Sequence, residues 1–448
     1  MNENRKPGPA RQAEAGAAGR WLRIIRFAAV DLRPLRRHRD FRLLWIGQGV
    51  SMVGASITEV AVPFQVYQLT HSTLLVGLIS GAELLPMLVL GLAGGLLADA
   101  RDRRTLVVAS EIAFAMVSIG LLINTVQGHP SVAVIFVLAA VSAALFAIQR
   151  PSLDSLLPRL VSPEEIPSAG ALNSIRGTAG MILGPALAGV LIAVAGLPYT
   201  YAVDVLSVAV SLVALLLMQA VPPPPDADRP SLRRVLEGFR YAWSRQELVG
   251  TYLVDIAAML FGMPLALFPA IAEHLGGAGV LGLLYSAPAV GALILSLTSG
   301  WTAGVHRHGL ALVWAAIAWG LAITVFGFAT AVPVALFFLA LSGAADMASG
   351  LFRQSIWNQT IPDNLRGRLA GIEFVSYTSG PALGGVESGA VAAVFGVQVS
   401  VVSGGILCVL GVLALAVLLP RFRKYDYRDW KSGPPRPLEP GSETEERV

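Results

Sequence analysis

Residues 184–190 read GPALAGV and residues 380–386 read GPALGGV, nearly the same phrase repeated 196 positions later. Ahead of each copy an arginine closes an apolar run, Arg150 before PSLDSLLPRLVSPEEIP and Arg353 before QSIWNQTIPDNLRGR. Internal duplication at this distance implies a chain built from two similar halves. Two parallel halves around a central path can rock against one another, which is the layout that alternating access requires.

Outward from the repeat, the sequence is dominated by apolar runs. The 448 residues are 54% hydrophobic and 14% charged, against roughly 25% charged in a soluble domain. Water is therefore not the main solvent of this chain. A bilayer core about 30 Å thick needs about 20 apolar residues per spanning helix. Backbone polar groups in lipid must be satisfied within the segment, so these runs can only be helices. They predict twelve spans, at 43–66, 74–97, 105–127, 131–149, 170–195, 199–220, 248–271, 277–300, 309–328, 333–354, 369–394 and 399–420. The repeat aligns the fifth span with the eleventh and the fourth with the tenth. The expected fold is an all-α membrane protein of two pseudo-symmetric six-helix bundles, at 43–220 and 248–420.

The cations test both the count and the orientation, because short cytoplasmic loops are enriched in Lys and Arg. With the N-terminus inside, all 33 Lys and Arg residues fall on the inner side or at inner helix ends. The six outer connections carry none: QLTHST after Tyr67, GHPS from Gly128, the Gly196–Pro198 turn, AEHLGGAG from Ala272, the Thr330–Val332 turn and the Gly396–Gln398 turn. A wrong count would have moved the later loops to the wrong side. A multi-pass protein of the inner (plasma) membrane with both termini in the cytoplasm is expected. The pI near 9.4 then reads as contact with anionic lipid headgroups at the inner face, and not with nucleic acid.

The flanks differ in character. Residues 1–42 read as a basic, disordered cytoplasmic arm with an interfacial helix over 21–30. Residues 221–247 form a linker that opens on PPPPDADRP from Pro222. An amphipathic helix follows, with Leu232, Val235, Leu236, Phe239 and Trp243 on one face. Residues 421–448 read as a polar, proline-rich, disordered cytoplasmic tail ending in GSETEERV. No apolar core long enough for a cleavable leader precedes the first span, which is expected to act as its own insertion signal.

Several function classes are excluded by what the pattern lacks. The single cysteine, Cys408, lies inside an apolar run, so disulfides and cysteine metal sites are out. His306 and His308, in GWTAGVHRHG from Gly300, lack a third ligand. There is no GxxxxGK[ST] loop, so ATP is not the direct driver. No nucleophile and base, or ligand cluster, stands at a membrane face as an integral enzyme would need. No enzyme activity, cofactor or metal is expected. The expected partners are a small-molecule substrate, protons and the bilayer, and the expected state is a monomer.

Between the second and third spans lies GGLLADARDRRT, Gly94 to Thr105. It resembles the inner loop motif of the major facilitator superfamily, a glycine, an aspartate four residues on, and a basic cluster. Gly95, Asp99, Arg101, Arg103 and Arg104 match; Asp102 stands where a second glycine is usual and Ala100 where a basic residue is common. The resemblance implies a latch between the halves in the outward-open state. Asp99 would sit at the positive N-terminus of the eleventh helix near Gly367 to Gly371, and the arginines would pair with acids across the inner rim. The equivalent stretch from Gly300 keeps little of the motif, so the latch is expected to be one-sided.

The fifth span carries GTAGMILGPALAG, in which Gly180, Gly184, Pro185 and Gly189 are similar to the antiporter motif of drug exporters in this superfamily. Small residues every four positions also make a helix-packing seam, and proline makes a bend, so the two readings coincide physically. Gly380, Pro381 and Gly384 are the counterpart in the second half. FRLLWIGQGVSMVGASITEVAVPFQVYQLTHST from Phe41, RPSLDSLLPRLV from Arg150 and GAADMASGLFRQSIWNQTIPDNLRGRLAGI from Gly343 extend the likeness over most of residues 40–420. Within the superfamily these segments resemble bacterial siderophore exporters of the enterobactin-exporter type, with macrolide efflux proteins as near relatives. The resemblance implies proton-coupled export of a siderophore, with macrolide or multidrug efflux as the alternative.

Ionisable residues inside a membrane cost roughly 2.5 to 3.5 kcal/mol each near the helix centre and are functional candidates by default. Glu59 and Glu83 lie in the first and second spans, Asp255 and Asp346 in the second half, and Glu373 and Glu387 in the eleventh span. A carboxyl in a low-dielectric cavity can exchange protons near neutral pH, as proton antiport needs. Glu59 and Glu83 are the leading candidates. Asp346 precedes Arg353 by about two turns, which would place them in one network. Arg176, at the inner end of the fifth span, is a candidate gate partner for Asp154 or Glu373, with Arg150 and Arg353 on the same inner rim. Phe64, Gln65, Tyr67, Gln149, Trp357 and Tyr377 are candidates to line a path for an aromatic ligand, against ordinary interfacial anchoring.

Overall fold

The computed structural model describes residues 31–100, 103–219, 239–362 and 365–430; the side chains of 92–100, 103, 366–368, 370–372, 374, 429 and 430 fall outside the description. The described residues form helices and no strand. The long ones are α1 (Arg39–Thr70), α2 (Thr73–Ala100), α3 (Arg103–Val126), α4 (Val132–Leu156), α5 (Ile166–Val194), α6 (Leu197–Leu216), α7 (Gln246–Gly262), α8 (Ala278–Leu297), α9 (His308–Phe326), α10 (Val332–Thr360), α11 (Arg366–Phe395) and α12 (Val397–Leu418). Among the described residues, eleven segments are long and apolar enough to cross a membrane. The remaining long helix is α11, 30 residues in length and in part outside the described side chains.

The seventh span differs from the single helix expected over 248–271. It stops at Gly262 and resumes as a 3-10 turn at Leu265–Leu267 and a short helix at Phe268–Leu275. Pro264 explains the break, since it has no N–H to give and its ring clashes with the preceding turn. The Gly262 carbonyl left over by the break is capped by Trp319 Nε1 of α9 at 3.0 Å.

Packing reproduces the duplication read from the sequence. α1 lies on α5 and α6, α2 on α4, and α3 on α4 and α6. In the same way α7 lies on α11 and α12, α8 on α10, and α9 on α10 and α12. The tight turns match as well, with Gly196 and Gly396 at φ 85° and 91° between α5 and α6 and between α11 and α12, values at which a side chain would be strained. Lipid tails are as apolar as leucine, so close packing and not water exclusion must join such helices.

The halves meet along two seams, α2 on α11 and α5 on α8, and the repeated phrase builds both. A Cβ on Gly184 would run into Ser56 of α1, and one on its counterpart Gly380 would meet Met259 Cβ of α7 at 2.7 Å. Those contacts lie within one half; five residues further on in each copy, across the seams, Gly189 faces Ala278 and Gly282 of α8 while Gly385 faces Gly77 and Ser80 of α2. Thr73 Oγ1 also donates to Gly389 O at 3.1 Å, and Ser286 Oγ to Ile182 O at 2.8 Å, one turn before Pro185. The contacts of Gly189, Gly385 and Thr73 between the halves lie toward the ends of the helices whose connecting loops lack Lys and Arg, the cation-poor end. Nearer the cation-rich end of α5, Gly170 and Gly177 face open space.

Some flanking chain is more ordered than its composition suggests. Arg33–Arg37 is a short helix next to the start of α1, with Asp31 bonded to Ser168 and Arg33. The guanidinium of Arg33 holds the Asp31 carboxyl well below the usual carboxylate range. After α12 the chain docks back through fully buried Phe422, which fills the space beside Gly250 and Gly309. Of the expected amphipathic face, Phe239 and Trp243 are helical, exposed and stacked at 5.6 Å. Leu232, Val235 and Leu236, the helix expected over 21–30 and the tail from 431 onward lie outside the described residues.

Candidate functional site

Glu59 and Glu83 are brought to one place. Glu59 lies about eleven residues from the cation-poor end of α1 and Glu83 about ten from that of α2. At 1.5 Å per residue both sit about 15 Å deep, near the middle of a 30 Å core. They face a common cavity of about 330 Å³, walled by Thr58, Val76 and Ser80 from α1 and α2, Val117 and Ser142 from α3 and α4, and Pro185 from α5. The second half contributes Leu265 and Ala266 from the break after α7, and Tyr285 from α8. Irregular backbone at membrane depth is tolerated where it lines a cavity, as here.

Neither glutamate has a hydrogen bond or ion pair among the described residues, and Glu59 is open to the cavity. Tyr285 faces both carboxyls and donates its hydroxyl to Leu265 O at 3.1 Å. Toward the cation-poor end the cavity is roofed by the two glycine seams. The rest of the lining is uncharged and mostly apolar, with Thr58, Ser80, Ser142 and Tyr285 as its polar members, so the two acids supply its charge.

The other predicted acids do not join this cavity. Asp255 is buried and ion-paired with Arg353, whose guanidinium also lies over the Trp357 ring at 5.6 Å. The expected link between Asp346 and Arg353 is therefore replaced by one between α7 and α10. Packing decides it: Trp357 Nε1 donates to Thr251 Oγ1 at 2.9 Å and draws α10 onto α7. Asp346 has no polar partner among the described residues, and Glu387 is half-buried on α11. Glu373, half-buried, contributes to the field at Arg353.

At the cation-rich end Arg150 bonds Asp154 one turn on, at 3.1 Å. Arg176 lays its stem against Gly49 of α1, and its Nε has no hydrogen-bond partner; the pairing expected with Asp154 is taken by Arg150. In the loop motif Gly95 lies near the end of α2, while Arg101 and the side chains of Asp99 and Arg103 are outside the description. Arg104 donates to the last carbonyls of α6, Leu215 O at 2.9 Å and Leu216 O at 2.8 Å, a pairing within its own half. The motif glycines divide their work: Gly180 and Gly184 admit Met52 and Ser56 of α1, and Gly189 admits the other half; Gly380 and Gly384 likewise admit α7.

Of the aromatic and amide candidates, Gln149 and Trp357 are buried in internal hydrogen bonds, and Tyr377 is exposed on α11. Phe64 and Gln65 line a second cavity of about 320 Å³ at the cation-poor end, while Tyr67 packs edge-on against His71.

Two carboxyls buried within the spans were not anticipated. Glu111 of α3 accepts from Gln48 at 2.6 Å and Gln149 at 3.2 Å. Asp204 of α6 accepts from Thr58 at 2.8 Å and Ser118 at 2.7 Å. The legible signal is the seven-residue interval of Glu111, Ser118 and Thr125 along α3, which stacks one polar stripe on one helix face.

The chain matches the profile described as transmembrane secretion effector over residues 29–441. It is 30% identical over 403 residues to a Shigella boydii protein named enterobactin exporter EntS, covering 88% of this chain and 96% of that protein. The Citrobacter koseri protein of the same name is 30% identical over 400 residues, with the same coverage. Among solved structures, the nucleoside transporter NupG superposes with a TM-score of 0.68 at 13% identity, over 85% of this chain and 98% of that one. A bacterial homologue of the iron transporter ferroportin in an inward-facing state superposes with a TM-score of 0.64 at 17% identity, over 86% and 98%. These likenesses carry the fold, and the profile and relatives carry the family: this chain belongs to the transmembrane secretion effector family of the major facilitator superfamily and is a multi-pass membrane transporter.

Proposed function

We propose that this transporter exports a siderophore of the enterobactin class across the inner (plasma) membrane, with proton antiport as the driving reaction and no covalent change to the ligand. The carrying observation is a pair of carboxyls without a polar partner among the described residues, Glu59 and Glu83, on one cavity shared by both halves, with the contacts of Thr73, Gly77 and Gly189 across the halves lying between it and the cation-poor end. In this reading the six-helix units at 43–220 and 248–420 rock about the glycine seams, and the cation-rich end faces the cytoplasm with both termini. The described state then faces inward. The cavity of about 330 Å³ is at the small end for a ligand site, so a bulky siderophore is admitted by further parting of the halves. A mostly apolar pocket with two carboxyls, widened in this way, would serve a macrolide or another drug equally, and the test must separate these ligands. The working unit is a monomer in a bilayer whose inner leaflet is anionic.

Proteoliposomes test this directly, by movement of enterobactin with and without an imposed proton gradient. Wild type should move it along the gradient-driven direction, and Glu59→Gln or Glu83→Gln should uncouple the flux. Movement of a macrolide with none of enterobactin would overturn the substrate reading.

A further inference from the structure

We infer that Asp204, outside the central cavity, is a third proton-holding carboxyl of the transport cycle and exchanges its proton with the cavity through the hydroxyl of Thr58. The inference rests on the proton-coupled reading above. Asp204 is 3% exposed and lies where α6 meets α1 and α3. Thr58 Oγ1 at 2.8 Å and Ser118 Oγ at 2.7 Å both reach its Oδ2, and Ser207 Oγ lies 3.4 Å from its Oδ1. Thr58 is also a wall residue of the central cavity and the chain neighbour of Glu59. One residue therefore touches both the buried carboxyl, through its hydroxyl, and the space that the cavity acids face.

The hydroxyls around Asp204 are arranged to suit either protonation state. As a carboxylate it accepts from Thr58 and Ser118. When it carries a proton it donates one hydrogen bond while still accepting others, and the hydroxyl that receives that bond must turn its own hydrogen elsewhere. Two of the hydroxyls have alternatives in place: Ser118 Oγ is 3.1 Å from Phe114 O, and Ser207 Oγ is 2.8 Å from the Asp204 carbonyl. No Lys, Arg or His is ion-paired with Asp204 among the described residues. The titratable groups around it are Tyr201, one turn away with its hydroxyl given to Gln65 at 2.8 Å, Glu111 two turns along α3 from Ser118, and Glu59 beyond Thr58. A carboxyl fixed purely for architecture would be expected to have a cation or donors without a second acceptor.

The step balances as a hydroxyl relay. The Asp204 O–H bond breaks as its proton passes to Thr58 Oγ1, and the proton that Thr58 held goes to a carboxylate in the cavity. Asp204 is left ionised, Thr58 unchanged and the cavity acid neutral. Access from the α1 side is limited because Gly54 packs directly against the carboxyl: a Cβ at that position would lie 2.6 Å from Asp204 Oδ1.

The test uses the full chain in proteoliposomes, with enterobactin as probe, and compares gradient-driven flux with substrate–substrate counterflow, which needs no net proton movement. Asp204→Asn, nearly isosteric, should lower gradient-driven flux roughly tenfold or more and leave counterflow within about twofold. Thr58→Val should slow the driven flux and Thr58→Ser should restore it. In infrared difference spectra, a protonated-carboxyl band in wild type should vanish in Asp204→Asn. Unchanged driven flux in Asp204→Asn while wild type is coupled would overturn this inference alone. Loss of counterflow together with thermal stability would also overturn it, by making Asp204 structural. Wild-type flux indifferent to the proton gradient would overturn the coupling reading itself.

Discussion

Replacing Gly189 by alanine adds one methyl group at the point where the halves touch. Its Cβ would stand 2.9 Å from the carbonyl oxygen of Ala278 and from the Cα and N of Gly282. These are backbone atoms of the other half and cannot rotate away. The seam must open by about 0.5 Å before the contact becomes ordinary, and overpacking of this kind costs about 1–3 kcal/mol. The cost falls only on the state in which the cation-poor end is closed. The helix-propensity gain of alanine over glycine, about 1 kcal/mol, is common to both states and cancels. The variant should therefore move the equilibrium toward the state open at that end by about 5- to 150-fold. Ser142→Cys places a reporter thiol on the cavity wall, and the native Cys408 is fully buried and contributes little background. A membrane-impermeant maleimide applied at the cation-poor face should label the reporter faster in Gly189→Ala by that factor. Gly177→Ala meets open space, and Gly180→Ala meets only the flexible Met52 of its own half; both should label at the parental rate. Equal labelling of Gly189→Ala and its parent, with both proteins folded, would refute the assignment of this seam as the moving contact.

Three further outcomes follow from the same geometry. Gly385→Ala, the symmetry counterpart, should bias the equilibrium in the same direction but less, because the Ser80 hydroxyl at 3.0 Å can turn aside; the same labelling assay reads it. Asp255→Asn leaves Arg353 without its ion-pair partner in a buried site, and breaking such a pair costs about 3–5 kcal/mol; thermal unfolding in detergent should show a clear fall in Tm, partly recovered by adding Arg353→Met. Trp319→Phe removes the cap on the Gly262 carbonyl at the break after α7, at about 1–3 kcal/mol for an unsatisfied buried acceptor, and should lower Tm without abolishing substrate binding.

Lipid makes the coarse fold legible. Each crossing needs a long apolar run with its backbone satisfied internally, so most boundaries of α1 to α6 and α8 to α12 could be read within about four residues; α4 and α10 run on past the expected ends at 149 and 354, to Leu156 and Thr360. The repeat was legible too, because Gly189 and Gly385 both need room for a facing backbone across a seam. The break after α7 was hidden by the apolar sequence on both sides, although Pro264 and Pro269 mark it. In the site, Glu59 and Glu83 were legible as charges with no reason to be in lipid. Asp204 was not, because a carboxyl held by Thr58 and Ser118 from other helices depends on rotational register that its own span does not reveal; Glu111 left only the seven-residue polar interval of its span, which does not name its partners Gln48 and Gln149. The same applies to Tyr285, whose place opposite both glutamates is fixed by the α5 and α8 seam. Asp346 illustrates the converse: correct helical spacing from Arg353 did not outweigh the pull of Trp357 toward α7.

In the proposed cycle the transporter exchanges protons for its ligand through the shared cavity. Proteoliposomes with the cation-rich face outward, loaded with a pH-sensitive dye, measure this when enterobactin is added outside. The lumen should become alkaline as ligand enters and protons leave, and the change should be lost in the double variant Glu59→Gln, Glu83→Gln. Enterobactin accumulation with no change in luminal pH would contradict it.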